Sequence, residues 1–351
     1  MKAMILAAGV GSRLDPITRT VPKPMVPIIN QPVMEHIVRL LVRHGFNEIY
    51  CNTHYLAAQI EDYFNSHEVG ATMHFNRETE LMGTAGGVKR VAEEKHFFAK
   101  DETFLVTGGD DLTDIDLTAM LQFHKSKEAI ATIGLTTVDD PSQFGVVVLE
   151  EDGRIQRFVE KPAPGTAPSN LVNTGVYLFE PEILDLIPSG QFHDFGKNVF
   201  PFLLEQQKPF FGYKMNTYWR DVGNLREYRE CHDDFFQHLL KLETTVPQTG
   251  EGLWIGEGCE IDPQAEITAP CVLGPGCKIG AGARISDKSV LGAGCVVGPG
   301  ATVAHSILWD GAQVQANTHI ERCVVGYNCK VASDAAIFDG TIVPPDPVDK
   351  R

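Results

Sequence analysis

Apolar runs and helical spacings alternate along the first part of the chain. Residues 3–8 (Ala-Met-Ile-Leu-Ala-Ala) are too few for a helix and stop at glycine, which predicts a fully buried strand. Residues 32–44 carry Val33, Ile37, Leu40 and Leu41 at helical spacing, with Gly45 as the stop. Further strands are predicted at 48–51, 72–75, 104–107 and 130–135, and helices at 56–64, 86–94 and 116–127. Such alternation means βαβ units and a mostly parallel sheet with helices on both faces. Beyond Thr136 the pattern turns antiparallel. Residues 145–149 and 154–160 flank the turn signal Glu151-Asp152-Gly153, and another strand follows at 173–179. A helix is expected from Leu225 to about Leu240.

From Ile255 the period changes to six. Ile255, Ile261, Ile267, Leu273, Ile279, Ile285, Leu291, Val297 and Val303 are all aliphatic, where chance gives about a quarter per position. After one-residue slips the series resumes at Leu308, Val314 and Ile320, then at Val325, Val331 and Ile337. A hexapeptide repeat of this kind predicts a parallel β-helix of about five coils, three hexads to a coil. Cys259, Cys271, Cys277, Cys295 and Cys329 each fall four residues after an aliphatic of the series, in a slot otherwise held by Ala265, Ala283, Ala301 and Ala312. That slot is small and inward, so these cysteines are expected to act as small hydrophobes. His305 and His319, on no inserted loop, are expected to be surface residues rather than acyl-transfer catalysts.

Composition narrows the function classes. A chain of 351 residues suggests two domains. No apolar run approaches the ~20 residues that span a bilayer, and the chain enters a strand directly after Met1-Lys2, so a cytoplasmic protein without a membrane is expected. A net charge of −16 argues against nucleic acid as a partner. Phosphates would have to be held by local Arg, Lys and metal ions. No Cys-x-x-Cys pair occurs, so zinc is not expected, and the eight cysteines do not imply disulfides in a protein expected to be cytoplasmic.

The candidate chemistry lies at strand ends. The loop Gly9-Val10-Gly11-Ser12-Arg13 lets backbone N–H groups approach anionic oxygens, and Lys23 sits between Pro22 and Pro24, which should hold it extended. Together they suit a triphosphate. The nicotinamide fingerprint fails, because its third glycine position is Leu14, and the P-loop ending is absent. Between a predicted strand and helix lies Met82-Gly83-Thr84-Ala85-Gly86-Gly87, small enough to admit a flat ring. Asp110, after a strand and a glycine pair, is a natural Mg²⁺ ligand, whereas Asp111 is read as structural. Glu160-Lys161-Pro162 fixes two charges that could hold sugar hydroxyls and a phosphate.

The string LAAGVGSRLDPITRTVPKPMVPI closely resembles the signature of the nucleoside-diphosphate-sugar pyrophosphorylases, the sugar-1-phosphate nucleotidylyltransferases. The Gly-Thr-Ala-Gly string looks most like the guanylyltransferases. The resemblance implies an α/β Rossmann-like domain at 1–240, a linker at 241–252, a left-handed parallel β-helix at 253–343 and a tail at 344–351. It implies nucleotide contacts at Leu6, Ala8, Gly9, Gly11, Ser12, Arg13 and Lys23 and at Gly83, Thr84, Ala85 and Gly86. Sugar phosphate is implied at Gly145, Glu160, Lys161 and Asn173. Mg²⁺ is implied at Asp110 and at Asp221, the latter in Trp219-Arg220-Asp221-Val222-Gly223. The implied catalytic set is Arg13, Lys23, Asp110, Lys161 and Asp221, acting on a nucleoside triphosphate and a sugar 1-phosphate. GTP with mannose 1-phosphate leads; UTP, ATP or dTTP with glucose 1-phosphate is the alternative, and a non-catalytic scaffold subunit is the reading from another class. The β-helix is expected to carry the contacts of a homo-oligomer, with Pro344, Pro345 and Pro347 ending its stack.

Overall fold

The computed structural model describes residues 1–95 and 102–344; Pro345 and Pro347 lie outside them. The chain forms two compact units that interleave in sequence. Residues 1–10 join 34–221, and residues 11–33 join the chain from Val222 onward.

The first unit is built on a nine-stranded mixed sheet. Its parallel half runs β4-β1-β2-β3, where β1 is Lys2–Ala7, β2 Glu48–Thr53, β3 Thr72–Arg77 and β4 Phe104–Gly108. Ala3, Met4 and Ile5 are fully buried, as a run of unbroken apolar residues requires of a central strand. The helices α1 (Val33–Arg43), α2 (Ala57–Ser66), α3 (Gly83–Lys95) and α4 (Leu117–Ser126) alternate with these strands. The short strand β5 (Asp111–Thr113) follows β4 outside the main sheet. The antiparallel half comprises β6 (Ala131–Thr137), β7 (Gly145–Leu149), β8 (Ile155–Glu160) and β9 (Leu171–Phe179), with β9 pairing to β4, β6 and β7. β7 and β8 form the hairpin that the turn signal predicted. β10 (Phe210–Lys214), after the short helix α5 (Phe200–Glu205), lies parallel to β6.

From β1 the chain steps through β2 to β3 on one side, while β4 lies on the other. That reversal opens a crevice outside the carboxyl ends of β1 and β4. Behind it Phe179, Phe195, Phe200 and Phe210 stack in series at 4.9, 5.8 and 5.2 Å between ring centroids. The stack anchors a π-helical turn, Phe195–Val199, whose first cap is Asp194.

The second unit contains α6 (Leu225–Phe236), capped by the Asn224 side chain, and a β-helix of three parallel sheets. Ile255, Leu273, Leu291, Leu308, Val325 and Ile342 stack in register on one side. Ile261 to Val331 and Ile267 to Ile337 form the other two. The one-residue slips have a local cause at a corner. Asp287, Lys288 and Ser289 join two strands in one coil, and only His305 and Ser306 join them in the next. Cys271, Cys277, Cys295, Ala283, Ala301 and Ala312 are fully buried in the core, and all eight cysteines are free. Burial pushes the Cys271 thiol up to about 11, so it stays protonated and unreactive.

Candidate active site

A cavity of about 400 Å³ occupies the crevice of the first unit. Leu6, Ala8 and Gly9 come to it from β1 and its loop, and Asp110 and Asp111 from the end of β4. Gly109 N–H donates to the Leu6 carbonyl (2.9 Å), which ties the two loops together.

The acids are packed over bare backbone. A Cβ at Gly108 would stand 2.8 Å from Asp110 Oδ1, and one at Gly175 would stand 2.6 Å from Asp111 Oδ2. Asp221 ends β11 (Trp219–Asp221), which pairs with β5 so that Asp221 faces Asp111. Asp111, expected to be structural, therefore belongs to the cavity wall beside Asp110. The sequence could not separate the neighbours, because the turn that aims both side chains inward is a product of the β5–β11 ladder. Among the described residues no group of three or more His, Cys, Asp or Glu is arranged to hold a metal alone. Hard carboxylate oxygens at this cavity nonetheless fit Mg²⁺, which keeps several positions for water and phosphate oxygens.

The Gly-Thr-Ala-Gly string corrects one expectation. The helix α3 begins at Gly83 rather than Gly86, so the string is its first turn. The N–H groups of both Ala85 and Gly86 already donate to the His193 carbonyl at 3.0 Å. They are occupied within the protein, and only Gly83 and Thr84 line the cavity. A side chain at Gly83 would strike the His193 backbone, and a Cβ at Gly86 would come 2.8 Å from the Gln191 carbonyl. The small residues thus admit a neighbouring strand of chain as well as leaving room for a ring. Thr84 Oγ1 donates to Asp194 Oδ2 (2.9 Å), which fixes this rim.

Gly145, Glu160, Lys161 and Asn173 are not among the residues that line the cavity; Glu160 is the register partner of Gly145. Its carboxylate fits between two glycines, 3.0 Å from a Cβ at Gly145 and 2.9 Å from one at Gly196. Burial raises the Glu160 carboxyl above the ordinary range, Lys161 and Lys197 oppose that, and Asp194 adds to it. Lys161 is exposed with a positive φ of 45°. Asn173 accepts the Gly175 N–H (2.9 Å) and donates to Tyr177 OH (3.0 Å).

Gly11, Ser12, Arg13 and Lys23 belong to the second unit. Gly11 has φ +70°, and a Cβ there would stand 2.8 Å from Lys23 Cβ, so the glycine is required where the loop folds onto the lysine. Lys23 is buried and opens a 3₁₀ turn, Lys23–Met25, closed by Met25 N–H to the Pro22 carbonyl at 2.8 Å. It is not held extended between its prolines as expected. Pro24 needs no N–H at the second position of that turn, and the bond to Pro22 outweighs the steric bias on the residue before a proline. Arg13 is exposed.

Sequence reasoning missed Asn52, Glu78, Tyr177, Phe192 and Asp194, all of which line the cavity. Asn52 and Glu78 are buried and bonded: Asn52 Nδ2 donates to Glu78 Oε1 (2.8 Å), and Asn52 Oδ1 accepts the Ala7 N–H (3.0 Å). Asn52 falls just past the strand expected at 48–51 and inside the observed β2, so no local pattern marked it. A second hollow of about 490 Å³ lies over His124, Lys125 and Glu180. Its carboxylate already accepts from Thr103, His124 and Lys125, and it lies at the amino end of β4, away from the acids.

A crevice at the carboxyl ends of parallel strands, facing acids and a β-helix define a class, and comparison with known proteins identifies it. Residues 2–238 match the family model for nucleotidyl transferase, and residues 250–348 match the model described as EIF2B subunit epsilon LbH domain. The chain belongs to the nucleotidyl transferase family and carries a C-terminal left-handed β-helix. It is 45% identical over 240 residues to a UTP–glucose-1-phosphate uridylyltransferase of Synechocystis, covering 65% of this chain and 61% of that protein. It is 34% identical over 286 residues to a probable mannose-1-phosphate guanylyltransferase of Oryza sativa, covering 78% of each. The catalytic subunit beta of a mannose-1-phosphate guanylyltransferase of Xenopus tropicalis is 34% identical over 274 residues, 77% of this chain and 74% of that one. No helix among the described residues is long and apolar enough to cross a membrane.

Proposed function

We propose that this protein joins a nucleoside triphosphate to a sugar 1-phosphate, giving an NDP-sugar and pyrophosphate, with GTP and mannose 1-phosphate as the lead pair. The carrying observation is one cavity lined by the loop after β1, the acids after β4 and the Gly83-Thr84 turn. The guanylyl reading is favoured by the 34% identities to mannose-1-phosphate guanylyltransferases, which cover 78% and 77% of this chain. The uridylyl reading, UTP with glucose 1-phosphate, is favoured by the 45% identity to the cyanobacterial enzyme.

In the proposed reaction a sugar-phosphate oxygen attacks the α-phosphorus in line. The new P–O bond forms as the bond to the β-phosphate breaks. A phosphate monoester with a second pKa near ~6 is already mostly dianionic at pH 7, so no side chain has to take a proton. Arg13 and Lys23 hold the departing pyrophosphate, and Lys161 holds the nucleophile. Gly145, Glu160 and Asn173 receive the sugar. Asp110 and Asp221 would hold Mg²⁺, with Asp111 beside them; the ion supplies charge neutralisation to the reacting phosphates. The catalytic part is assigned to 1–240 and the β-helix, at 253–343, to the contacts of a homo-oligomer. Phosphorylated metabolites as substrates suit a cytoplasmic enzyme.

Pyrophosphate release from five nucleoside triphosphates, each with glucose 1-phosphate and mannose 1-phosphate, tests the proposal. Release with GTP and mannose 1-phosphate above all other pairs is expected. A UTP and glucose 1-phosphate maximum would select the second reading, and no release from any pair would refute the activity.

A further inference from the structure

The signature segment ends in a turn that its own sequence does not favour. Pro27–Ile28 pairs with Gln31–Pro32, and the two residues between them, Ile29 and Asn30, have φ of 47° and 65°. Asn tolerates that region, but a β-branched Ile is strained there. The turn is gripped by the rest of the second unit. Ile29 N–H donates to His232 Nε2 (3.4 Å), whose other ring nitrogen meets the Tyr228 carbonyl (2.9 Å). Asn30 Nδ2 donates to the Leu291 carbonyl of the β-helix (2.8 Å). Tyr228 OH donates to the Pro27 carbonyl (2.9 Å), and the same oxygen accepts from Trp309 Nε1 (2.8 Å). Tyr228, His232 and Trp309 are all buried.

A chain of buried hydrogen bonds thus runs from the β-helix through α6 to the backbone just after Lys23. Val26 N–H bonds the Lys23 carbonyl at 3.2 Å, and Val33 N–H returns to the Val26 carbonyl at 3.1 Å. Gly11 rests on Lys23, and Thr18 Oγ1 donates to the Gly11 carbonyl (3.0 Å). A shift at Pro27 therefore passes to Lys23 and on to the glycine loop.

We infer that Tyr228 and Trp309 are positioning residues, through which the β-helix sets the segment that carries Arg13 and Lys23. The inference rests on the proposed role of those two cations at the triphosphate. An appended repeat domain is then part of the transfer machinery, beyond any part in assembly.

The test is steady-state kinetics in both directions on full-length Tyr228→Phe, Trp309→Phe, the double variant, and Lys23→Ala in parallel. Tyr228→Phe keeps the ring and removes only the bridging hydroxyl. KM for the nucleotide, and for pyrophosphate in reverse, should rise by about tenfold, since misplacement by about 1 Å can cost up to about a hundredfold. KM for sugar 1-phosphate should stay within about twofold. Because the two side chains form one relay, the double variant should be no worse than Tyr228→Phe. Should Tyr228→Phe fail to fold, Trp309→Phe and Asn30→Gly, which keeps the positive φ but drops the bond to Leu291, carry the same expectation. Normal nucleotide and pyrophosphate kinetics in these variants beside a defective Lys23→Ala would overturn the inference and leave the proposed function standing. Equal defects for both substrates would also overturn it, as a general loss of structure. A Lys23→Ala enzyme with unchanged nucleotide use would remove the proposed role of Lys23, and the inference with it.

Discussion

Asp221 stands directly opposite Asp111 across the antiparallel pair of β5 and β11, with Arg220 against Leu112 and Trp219 against Thr113. Like charges at facing positions of a ladder repel. Proteins keep such arrangements where function needs them. The ladder brings together two acids that are far apart in the sequence, at the end of the strand that delivers Asp110.

Removing one metal charge should disable the proposed transfer. Asp110→Asn and Asp221→Asn should each lower turnover at least about a hundredfold, since each weakens stabilisation of charge in the transition state. Turnover assays at saturating Mg²⁺ check this. Near-normal rates in either variant would remove that residue from the metal site.

The two lysines should fail differently. Lys161→Ala should mainly raise KM for sugar 1-phosphate, whereas Lys23→Ala should mainly impair the nucleotide and, in reverse, pyrophosphate. Forward and reverse kinetics with each substrate varied separate the cases. Matching defects would undo the division of labour.

Glu160 predicts a pH dependence. Burial raises its carboxyl above the usual value, with Lys161 opposing. As an acceptor for sugar hydroxyls it must be ionised, so binding of sugar 1-phosphate should weaken as pH falls toward that raised value, sooner than for an ordinary carboxylate. Its effect on folding has the opposite sense. The protonated form is favoured in the fold, so stability falls as pH rises through the folded pKa, and Glu160→Gln should stabilise at neutral pH. A KM profile from pH 5 to 8 with thermal melts of both proteins checks both halves. A profile unchanged by Glu160→Gln would exclude the role.

His305, expected on the surface, instead donates to Asp233 of α6 at 2.8 Å and is half-buried. The bond to Asp233 raises the His305 pKa. Burial alone would raise the Asp233 pKa, but His305 and Lys288 hold it down. The pair's stabilisation is complete between the unfolded Asp value of about 3.9 and the unfolded His value of about 6.5; it is lost as pH rises through the raised His305 value and also as pH falls through the lowered Asp233 value. As pH rises through the raised His305 value, the melting temperature of the wild type should fall by a few degrees more than that of His305→Asn. Parallel curves would show that the pair contributes nothing measurable.

Subunit association can be checked by light scattering of the full-length chain at several concentrations. A homo-oligomer is expected, and a chain that stays monomeric at micromolar concentration would refute the role given to the β-helix sides.

Local pattern determined much of this protein. The unbroken apolar run of β1 demanded a central strand. The six-residue period from Ile255 demanded stacked coils, because only that spacing returns an aliphatic side chain to each inner face. The placement of Gly9 and Asp110 at the cavity was legible for a similar reason, since glycines and acids after buried strands are locally marked. Tertiary structure decided what depends on neighbours distant in sequence. It placed Asp111 in the cavity through its pairing with Asp221, and it used the Ala85 and Gly86 amides on the His193 carbonyl. It turned Lys23 into a 3₁₀ bend folded under Gly11. It also joined residues 11–33 to α6 and the β-helix through Tyr228 and Trp309. A hydrogen bond between residues two hundred positions apart leaves no period in the sequence, so only the folded chain could reveal it.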